Sequence, residues 1–464
     1  SERVSPELVN GYRPEYTIKF IQGIWWLPEN PVKKVAGTLT IDVKSEMALD
    51  TIGTLGNLSP DDYLTDKIMQ FSVIWGIASD SKPVSIFSCI GDITLNTACP
   101  FATCHYKTLV VAVGKHISSW DELGNYDVQV KIDELPYWFR PNVIKCLLDN
   151  NKLTLSVDLD KSNSTSVKLD ETCELVLEGV VNIKNVNSGL QHVIEETTLL
   201  RFIFSDKISP QDAKRRVFAF EQFMSFAVLS KIESNTFALI DKDVQLHQQG
   251  SNQIVIYDHK SLNGKISNKF SEYLFNYNTI KESFPDVIRK WYAEDKLAPV
   301  RAHLIDSINH KGVFTPNDFL IVIQAIEGYY FRFVKPHNEL SSLLNELREE
   351  FHDIDILELT DHDIKFIRDS RHYYSHLLPE GKKKFVAYYR DLYNLNHKLR
   401  KLLICCILRL VGFDNSKINT ICAKSDNSFL RMINGKVRLK IEEEPKELKG
   451  KIHSLTEISE SEPE

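Results

Sequence analysis

The sequence predicts an α+β protein in which an N-terminal antiparallel β-rich sandwich or barrel is followed by a C-terminal all-α helical bundle. Apolar and polar residues alternate in many short segments of the first 205 residues, with no helical pattern between them. From Ser209 onwards, apolar residues recur at helical spacing instead. The 464-residue chain is 43% hydrophobic and 26% charged, which is typical of a globular protein. At ~100–200 residues per domain, it should hold two or three domains.

Residues 1–205 form the predicted β-rich domain. Period-two alternation is clearest in residues 37–43, 107–113, 126–132 and 153–159, and further strand-like runs cover residues 71–77, 84–90, 174–177 and 199–204. Gly, Asn and Asp separate these runs at short intervals, as in turns between antiparallel strands. About ten short strands without crossover helices indicate a sandwich or barrel rather than a parallel sheet.

Residues 206–290 are interpreted as a mixed connecting region packed on one of its neighbours. Ser209 is a suitable N-cap and Pro210 a suitable first residue for a helix. A strand-like run follows at residues 253–257.

Residues 291–425 form the predicted helical bundle. Helical spacing covers residues 286–308, and further helices are predicted over residues 316–333, 340–351, 361–377 and 382–411. Thr360 caps the fourth of these helices, and Gly412 is a suitable residue to end the last one. Residues 426–464 are predicted to be a mobile acidic tail, because residues 441–464 hold eight glutamates against three lysines.

Charge and hydropathy exclude several classes of protein. The net charge is −7, from 56 basic and 63 acidic residues, so a contact with nucleic acid needs a local positive patch. The longest apolar stretch, residues 402–408, is far shorter than the ~20 residues that span a bilayer. Residues 1–5 contain no apolar signal region. We therefore expect a cytoplasmic protein with no membrane segment.

Eight cysteines occur in the chain, and we expect free thiols in a reducing compartment. Four potential zinc ligands lie near each other in the sequence, namely Cys89, Cys99, Cys104 and His105. Their spacing lacks a CxxC knuckle. Two interpretations stay open, a metal site and small buried side chains between strands.

The segment that carries chemistry is Ile367–His376, with sequence IRDSRHYYSH. It combines Arg368 and Arg371 with two histidines at the end of a predicted helix, and three lysines follow at residues 382–384. Arginine binds phosphate oxygens in a bidentate manner, and histidine can transfer a proton near neutral pH. These groups suffice for metal-independent cleavage of RNA. The 2′-hydroxyl attacks, a histidine moves the proton and an arginine stabilises the charge of the pentavalent state.

Two other interpretations of this segment compete. His372 and His376 are four residues apart, so on one helix face they could hold a metal, with Asp369 as the nearby carboxylate. The segment could also be a solvated helix end without chemistry. Arg371 and His376 would point about 140° apart on a regular helix. They converge only if the helix breaks between them or if a second subunit completes the site.

Arg371-His-Tyr-Tyr-Ser-His376 resembles the R-x4-6-H signature of HEPN domains, at the end of one bundle helix and before another. Residues 319–330, with Gln324-Ala-Ile-Glu327, resemble the first core helix of the Apea-like HEPN group. Residues 23–28, 37–39 and 73–76 resemble the ApeA N-terminal domain. The resemblance extends from about Phe20 to Phe413. By this resemblance the chain is identified as a member of the ApeA-type antiphage defence proteins.

The resemblance implies an endoribonuclease with Arg371 and His376 as catalytic residues and no metal or cofactor. The position after the arginine is often asparagine or another polar residue in the family and is His372 here, so its role stays open. The candidate supporting residues are His372, Arg368, Asp369 and Tyr374. HEPN ribonucleases generally pair two motifs in one cleft, which implies a homodimer or a higher even oligomer with RNA as its substrate.

An antiphage ribonuclease must stay inactive in healthy cells. The β-rich domain is therefore a candidate sensor or restraint, with a phage-derived component as the candidate trigger. A non-catalytic alternative is a bundle that only dimerises or binds RNA, with the β-domain as a ligand-sensing module. A metal-dependent hydrolase based on His372 and His376 is a third hypothesis.

Overall fold

The computed structural model describes most of the chain from residue 18 to residue 437. The described residues are 18–42, 46–56, 68–94, 102–141, 144–149, 152–157, 164–186, 191–242, 253–258, 273–293, 295–309, 315–336, 339–425, 432–433 and 436–437. Cys99 and almost all of the predicted acidic tail lie outside these residues.

The first six strands form a closed antiparallel barrel. They are β1 (Lys19–Leu27), β2 (Asn30–Ile41), β3 (Met47–Ile52), β4 (Met69–Ala78), β5 (Pro83–Thr94) and β6 (Thr103–Thr108). Their order is β5-β4-β1-β2-β3-β6, and a further pairing of β6 with β5 closes the ring. Closure leaves these strands without a free edge. Residues 37–41 of the alternating segment lie in β2, so their alternation reflects the inner and outer faces of a barrel strand.

Alternate side chains of these strands fill the barrel. Trp25, Leu39, Leu49, Ile74 and Tyr106 are buried in one hydrophobic cluster inside it. Gly76 lies against the Trp25 ring. A Cβ atom at this position would be only 2.2 Å from Trp25 Cε3, so a larger residue would clash with the ring. The barrel therefore has a core of its own, distinct from the rest of the molecule.

The chain leaves the barrel at Leu109. Residues 107–113 were predicted to be one strand, but they belong to two, because β6 ends at Thr108 and β7 (Val110–Val113) starts at Val110. Strand β7 pairs with β5 on one side and with a later strand, β15, on the other. The bend at Leu109 thus connects the barrel to a second part of the same sheet.

The second part of the sheet is also antiparallel. Its further strands are β8 (Tyr126–Lys131), β11 (Ser164–Lys168), β12 (Cys173–Val186), β13 (Gln191–Phe204), β14 (Thr236–Asp241) and β15 (Gln253–Asp258). The order away from β5 is β7-β15-β14-β8-β13-β12-β11. Helix α1 (Leu135–Phe139) and the separate hairpin of β9 (Ile144–Asp149) and β10 (Lys152–Val157) lie between β8 and β11 in the sequence. An antiparallel β-rich N-terminal region is therefore confirmed.

Helix α2 (Pro210–Val228) covers this second part of the sheet with aromatic residues. Ser209 accepts a hydrogen bond from the backbone N–H of Asp212, as expected of an N-cap. Phe220 and Phe223 are buried, and Trp291 stacks against Phe226 with ring centroids 5.8 Å apart. The region 206–290 supplies α2 and also two strands, β14 and β15, that pair with β8 and β7. Its assignment as a separate connecting region stays a prediction.

Eight helices follow the sheet in the part of the chain that the structure describes. They are α3 (Tyr277–Ile280), α4 (Phe284–Ala293), α5 (Ala298–Asn309), α6 (Pro316–Phe333), α7 (Leu340–Glu350), α8 (Asp361–His376), α9 (Tyr389–Leu410) and α10 (Asn415–Lys424). Thr360 caps α8 as predicted, and Thr315 caps α6 in the same way. No helix in the described ranges is long and apolar enough to cross a membrane. A short hairpin, β16 (Met432–Ile433) with β17 (Lys436–Val437), comes last.

Two helix predictions were wrong in their bounds. Residues 286–308 form two helices separated by a 3₁₀ turn, Asp295–Leu297, because Pro299 can lie only in the first turn of a helix. The last long helix begins at Tyr389 and not near Lys382. Residues 379–388 instead form a loop that packs along α8, which we call the lysine loop.

Candidate active site

Helix α8 places the motif at an exposed helix end. Thr360 and Asp363 form a reciprocal capping box at its start, and Ile364 and Ile367 are buried against the bundle. The helix ends at His376, since Leu377 adopts a left-handed conformation with φ of 48°. Leu377 is 87% exposed. The last turn of α8 is therefore open to solvent while its first turns are fixed in the core.

Arg371 and His376 lie on one unbroken helix. The break between them that would let the two side chains converge is absent, so they point about 140° apart. Arg371 is half-buried, and its Nη2 lies 3.4 Å from Glu327 Oε1 of α6. His376 is exposed. Within the described residues, no hydrogen bond joins Arg371 to His376.

His372 and His376 share a face of the helix end, with ring centroids 4.7 Å apart. Loss of hydration lowers the pKa of His372 below its ordinary value of 6.5, and the positive charge of Lys383 lowers it further. Over the part of the chain that the structure describes, no three His, Cys, Asp or Glu residues form a group that could hold a metal ion.

Asp369 and Tyr374 hold the lysine loop against α8. Asp369 is buried, and its Oδ2 accepts a hydrogen bond of 3.2 Å from the backbone N–H of Phe385. The Tyr374 hydroxyl donates a hydrogen bond of 2.7 Å to the backbone oxygen of Ala387. Ser370 Oγ accepts from the N–H of Ala387 at 2.8 Å. Of the predicted supporting residues, Asp369 and Tyr374 thus make contacts within the chain.

Arg368 is partly exposed and forms an ion pair with Asp369, with Nη2 and Oδ1 2.9 Å apart. Six basic and two acidic residues lie between positions 368 and 390. Lys382 and Lys384 are exposed, and Lys383 is close enough to His372 to lower its pKa. The open end of α8 is therefore a positive patch in an acidic chain.

Sequence reasoning missed three residues of this region. Glu327 was noted only for its resemblance to a family helix, yet it pairs with Arg371 across 44 positions of sequence. Tyr388 and Tyr389 were assigned to the interior of a long helix, yet they are 42% and 85% exposed. Two tyrosines within five residues of a run of lysines could have been recognised as an aromatic and basic patch.

Cys89 and Cys104 do not converge with His105. Cys89 and Cys104 are buried in the barrel core, where burial raises the pKa of Cys89 to about 12. His105 follows Cys104 in β6 and so faces outwards, where its Nδ1 lies 2.7 Å from Asp50 Oδ1. The interpretation as small buried side chains between strands therefore holds for Cys89 and Cys104.

The molecule thus combines an antiparallel β-barrel region with a helical bundle that exposes an Arg and His motif at a helix end. Residues 21–291 match the model of the family ApeA N-terminal domain 1, and residues 324–417 match that of Apea-like HEPN. The chain belongs to the ApeA family and carries a HEPN domain after its N-terminal domain. Neither a curated protein nor a solved structure matches it significantly.

Proposed function

We propose that the chain is a metal-independent endoribonuclease of antiphage defence and acts in the cytoplasm. The observation that carries this proposal is the placement of Arg371 and His376 at the open end of α8, within a positive patch. Both matched families support a role in defence, and HEPN domains are generally ribonucleases.

In the proposed reaction, His376 takes the proton of a ribose 2′-hydroxyl, and the 2′-oxygen attacks the adjacent phosphorus. Arg371 stabilises the negative charge of the pentavalent state. The bond from phosphorus to the 5′-oxygen breaks, that oxygen takes a proton from water, and protonated His376 returns its proton to the solvent. The products are a 2′,3′-cyclic phosphate end and a 5′-hydroxyl end.

Two copies of the chain supply the residues of one cleft in this proposal. Arg371 and His376 of a single α8 point about 140° apart, so one phosphate cannot contact both within one chain. A second copy that faces the first across a twofold axis brings its own pair to the same cleft. The proposed assembly is therefore a homodimer or a higher even oligomer.

The test of the nuclease is cleavage of cellular RNA in EDTA by the wild type, Arg371→Ala and His376→Ala. We expect 2′,3′-cyclic ends from the wild type alone, with all three proteins folded and equally oligomeric. His362→Ala and Arg289→Ala, which change exposed residues away from the motif, serve as controls. No cleavage by the wild type, with or without extract of phage-infected cells, would favour the binding or dimerisation module.

A mixed oligomer tests the shared cleft. Co-purified chains with Arg371→Ala in one and His376→Ala in the other should recover part of the activity that each variant lacks alone. The reason is that one cleft then receives an intact His376 from the first chain and an intact Arg371 from the second. RNA cleavage by the mixed oligomer that is no higher than that of either variant alone would contradict a cleft built from two copies.

The barrel is the proposed sensor of a phage-derived trigger. Its outer face carries a groove of about 640 Å³, lined by Gln22, Thr38, Asp50, Ile52 and His105 among others. Ile52 is 56% exposed there. We expect Ile52→Asp to abolish protection in a plaque assay while purified protein still cleaves RNA. Full protection by Ile52→Asp would contradict a sensing role for this residue, and loss of RNA cleavage itself would indicate a folding defect.

A further inference from the structure

We infer that Tyr388 and Tyr389 form a base-stacking platform that binds single-stranded RNA beside the Arg and His motif. This inference rests on the proposed nuclease function and adds to it a means of choosing the substrate. The platform is built from the end of the lysine loop and the start of α9, and it has three independent supports.

The first support is the conformation and exposure of Tyr389. This residue has φ of 45°, a left-handed conformation that bulky side chains rarely adopt, and its side chain is 85% exposed. Strained residues of this kind persist where the surrounding structure holds them, and they cluster at functional sites. At this exposure, the ring buries little surface against the described part of its own chain.

The second support is that the platform is rigidly held. Ala387 lies directly before it, is buried, and is bonded through both its N–H and its oxygen to Ser370 and Tyr374 of α8. Tyr388 contacts Tyr373 of α8, with ring centroids 6.0 Å apart, and the two hydroxyls interact. An aromatic side chain that is fixed before binding loses little conformational entropy when a base stacks on it.

The third support is the charge around the two rings. Lys382, Lys383 and Lys384 come from the same loop, and Arg390 follows Tyr389 directly. Glu380 and Asp391 are the acidic residues within this stretch. A positive groove interleaved with exposed aromatic side chains is the pattern with which proteins bind single strands, because phosphates meet cations while bases stack.

Single-stranded RNA is the ligand that this chemistry favours. In a duplex, the bases are already stacked and their faces are closed to a tyrosine ring. Because His372 lies next to His376 and close to Lys383, a strand that crosses the lysine loop reaches the motif directly. A base stacked on Tyr389 would therefore position the phosphate beside it for cleavage.

The test measures binding of a short fluorescein-labelled single-stranded RNA to full-length His376→Ala protein, which does not cleave it. In this background we expect Tyr389→Ala to weaken binding about 5- to 100-fold, the effect of losing one stacked base. Tyr389→Trp keeps a stacking ring and should retain the affinity. Tyr137→Ala removes a 43%-exposed tyrosine of α1 and serves as the matched control.

Salt dependence separates stacking from phosphate contacts. Lys383→Ala should reduce the slope of log K against log salt by ~0.7, the value for one phosphate contact on a single strand. Tyr389→Leu should lower the affinity and leave the slope unchanged. A duplex of the same sequence should bind more weakly than the single strand, and none of the tyrosine variants should change its affinity.

The outcomes distinguish this inference from the nuclease proposal. Binding that Tyr389→Ala leaves unchanged, with RNA cleavage by the wild type, would overturn the platform alone. If Tyr389→Ala weakens RNA binding as expected but the wild type never cleaves RNA, the platform is supported and the nuclease is refuted. Dissociation of the oligomer by Tyr389→Ala in sedimentation would assign the ring to a protein interface and overturn the platform.

Discussion

Two sites in the described part of the bundle each combine an arginine, a histidine and a carboxylate, and they differ in burial. At the first, Arg400 of α9 is 6% exposed and bonds to Asp318 of α6 and to both the hydroxyl and the backbone oxygen of Ser307. At the second, Arg371 is half-buried and has one contact of 3.4 Å with Glu327. Both sites join α6 to a later helix, so position in the fold does not separate them.

The histidines differ in the same way. His397, one turn before Arg400, is buried, and burial together with the charges of Arg400 and Lys401 lowers its pKa to about 3. His376 is exposed at the end of α8. A buried, multiply bonded arginine has a structural role, because its donors are occupied and no ligand can reach it. A half-buried arginine with one long contact keeps donors available for a phosphate.

The largest effect that would sharpen this comparison is on stability. Asp318→Ala leaves the buried charge of Arg400 without its carboxylate and should cost about 3–5 kcal/mol of unfolding free energy. Glu327→Ala breaks the partly exposed pair with Arg371 and should cost at most about 1 kcal/mol. Urea denaturation of the two variants beside the wild type measures the difference. Equal losses of unfolding free energy would mean that the two ion pairs do not differ in stability because of their burial.

The pH dependence of stability gives the next largest effect. His397 stays neutral in the folded chain down to a pKa of about 3, while the unfolded chain binds a proton near the ordinary value of 6.5. The contribution of His397 to the free energy of unfolding is therefore fully present above pH 6.5 and is lost as the pH falls towards 3. Between pH 7.5 and pH 5 the loss should be about 2 kcal/mol.

His397→Gln should remove this part of the pH dependence, as urea denaturation at the two pH values would show. His362→Gln, at the exposed start of α8, is the matched control and should leave the dependence unchanged. A wild type that is equally stable at both pH values, with the variant identical to it, would contradict the assignment of His397 to the neutral form.

A smaller effect tests the connection between the lysine loop and α8. Ser370→Ala leaves the buried N–H of Ala387 without its acceptor and should cost about 1–3 kcal/mol. RNA cleavage should fall as well, because the loop then no longer holds its lysines beside the motif. Ser375→Ala changes an exposed serine of the same helix and should affect neither property. A Ser370→Ala protein with full stability would show that the loop is held by other contacts.

Local signals allowed much of the helical region to be predicted. Thr315 and Thr360 identify the starts of α6 and α8, because an N-cap acts through residues within one turn of it. Leu377 ends α8 two residues before Pro379, as the restriction on the residue before proline suggests. The positions of the motif residues within α8 were therefore available from the sequence.

Long-range contacts explain what could not be predicted. The barrel closes through pairing of β5 with β6, and a strand pattern contains no information about its partner. Residues 382–388 have helical spacing, yet Asp369, Ser370 and Tyr374 bind their backbone in an irregular path. Tertiary hydrogen bonds thus outweigh helix propensity there, and the exposure of Tyr389 follows from them.

The smallest effect concerns the exposed histidine pair. Loss of hydration and the positive charge of Lys383 lower the pKa of His372 below 6.5, which favours the neutral imidazole, the form that can accept a proton. Lys383→Ala should move the NMR titration midpoint of His372 upwards, with the resonance assigned from His372→Gln. Lys382→Ala, an exposed lysine of the same loop, should leave it in place. A wild-type midpoint above 6.5 would mean that the lysine loop does not lower the pKa of His372. The pKa shift of His372 would then be opposite in direction to that of buried His397.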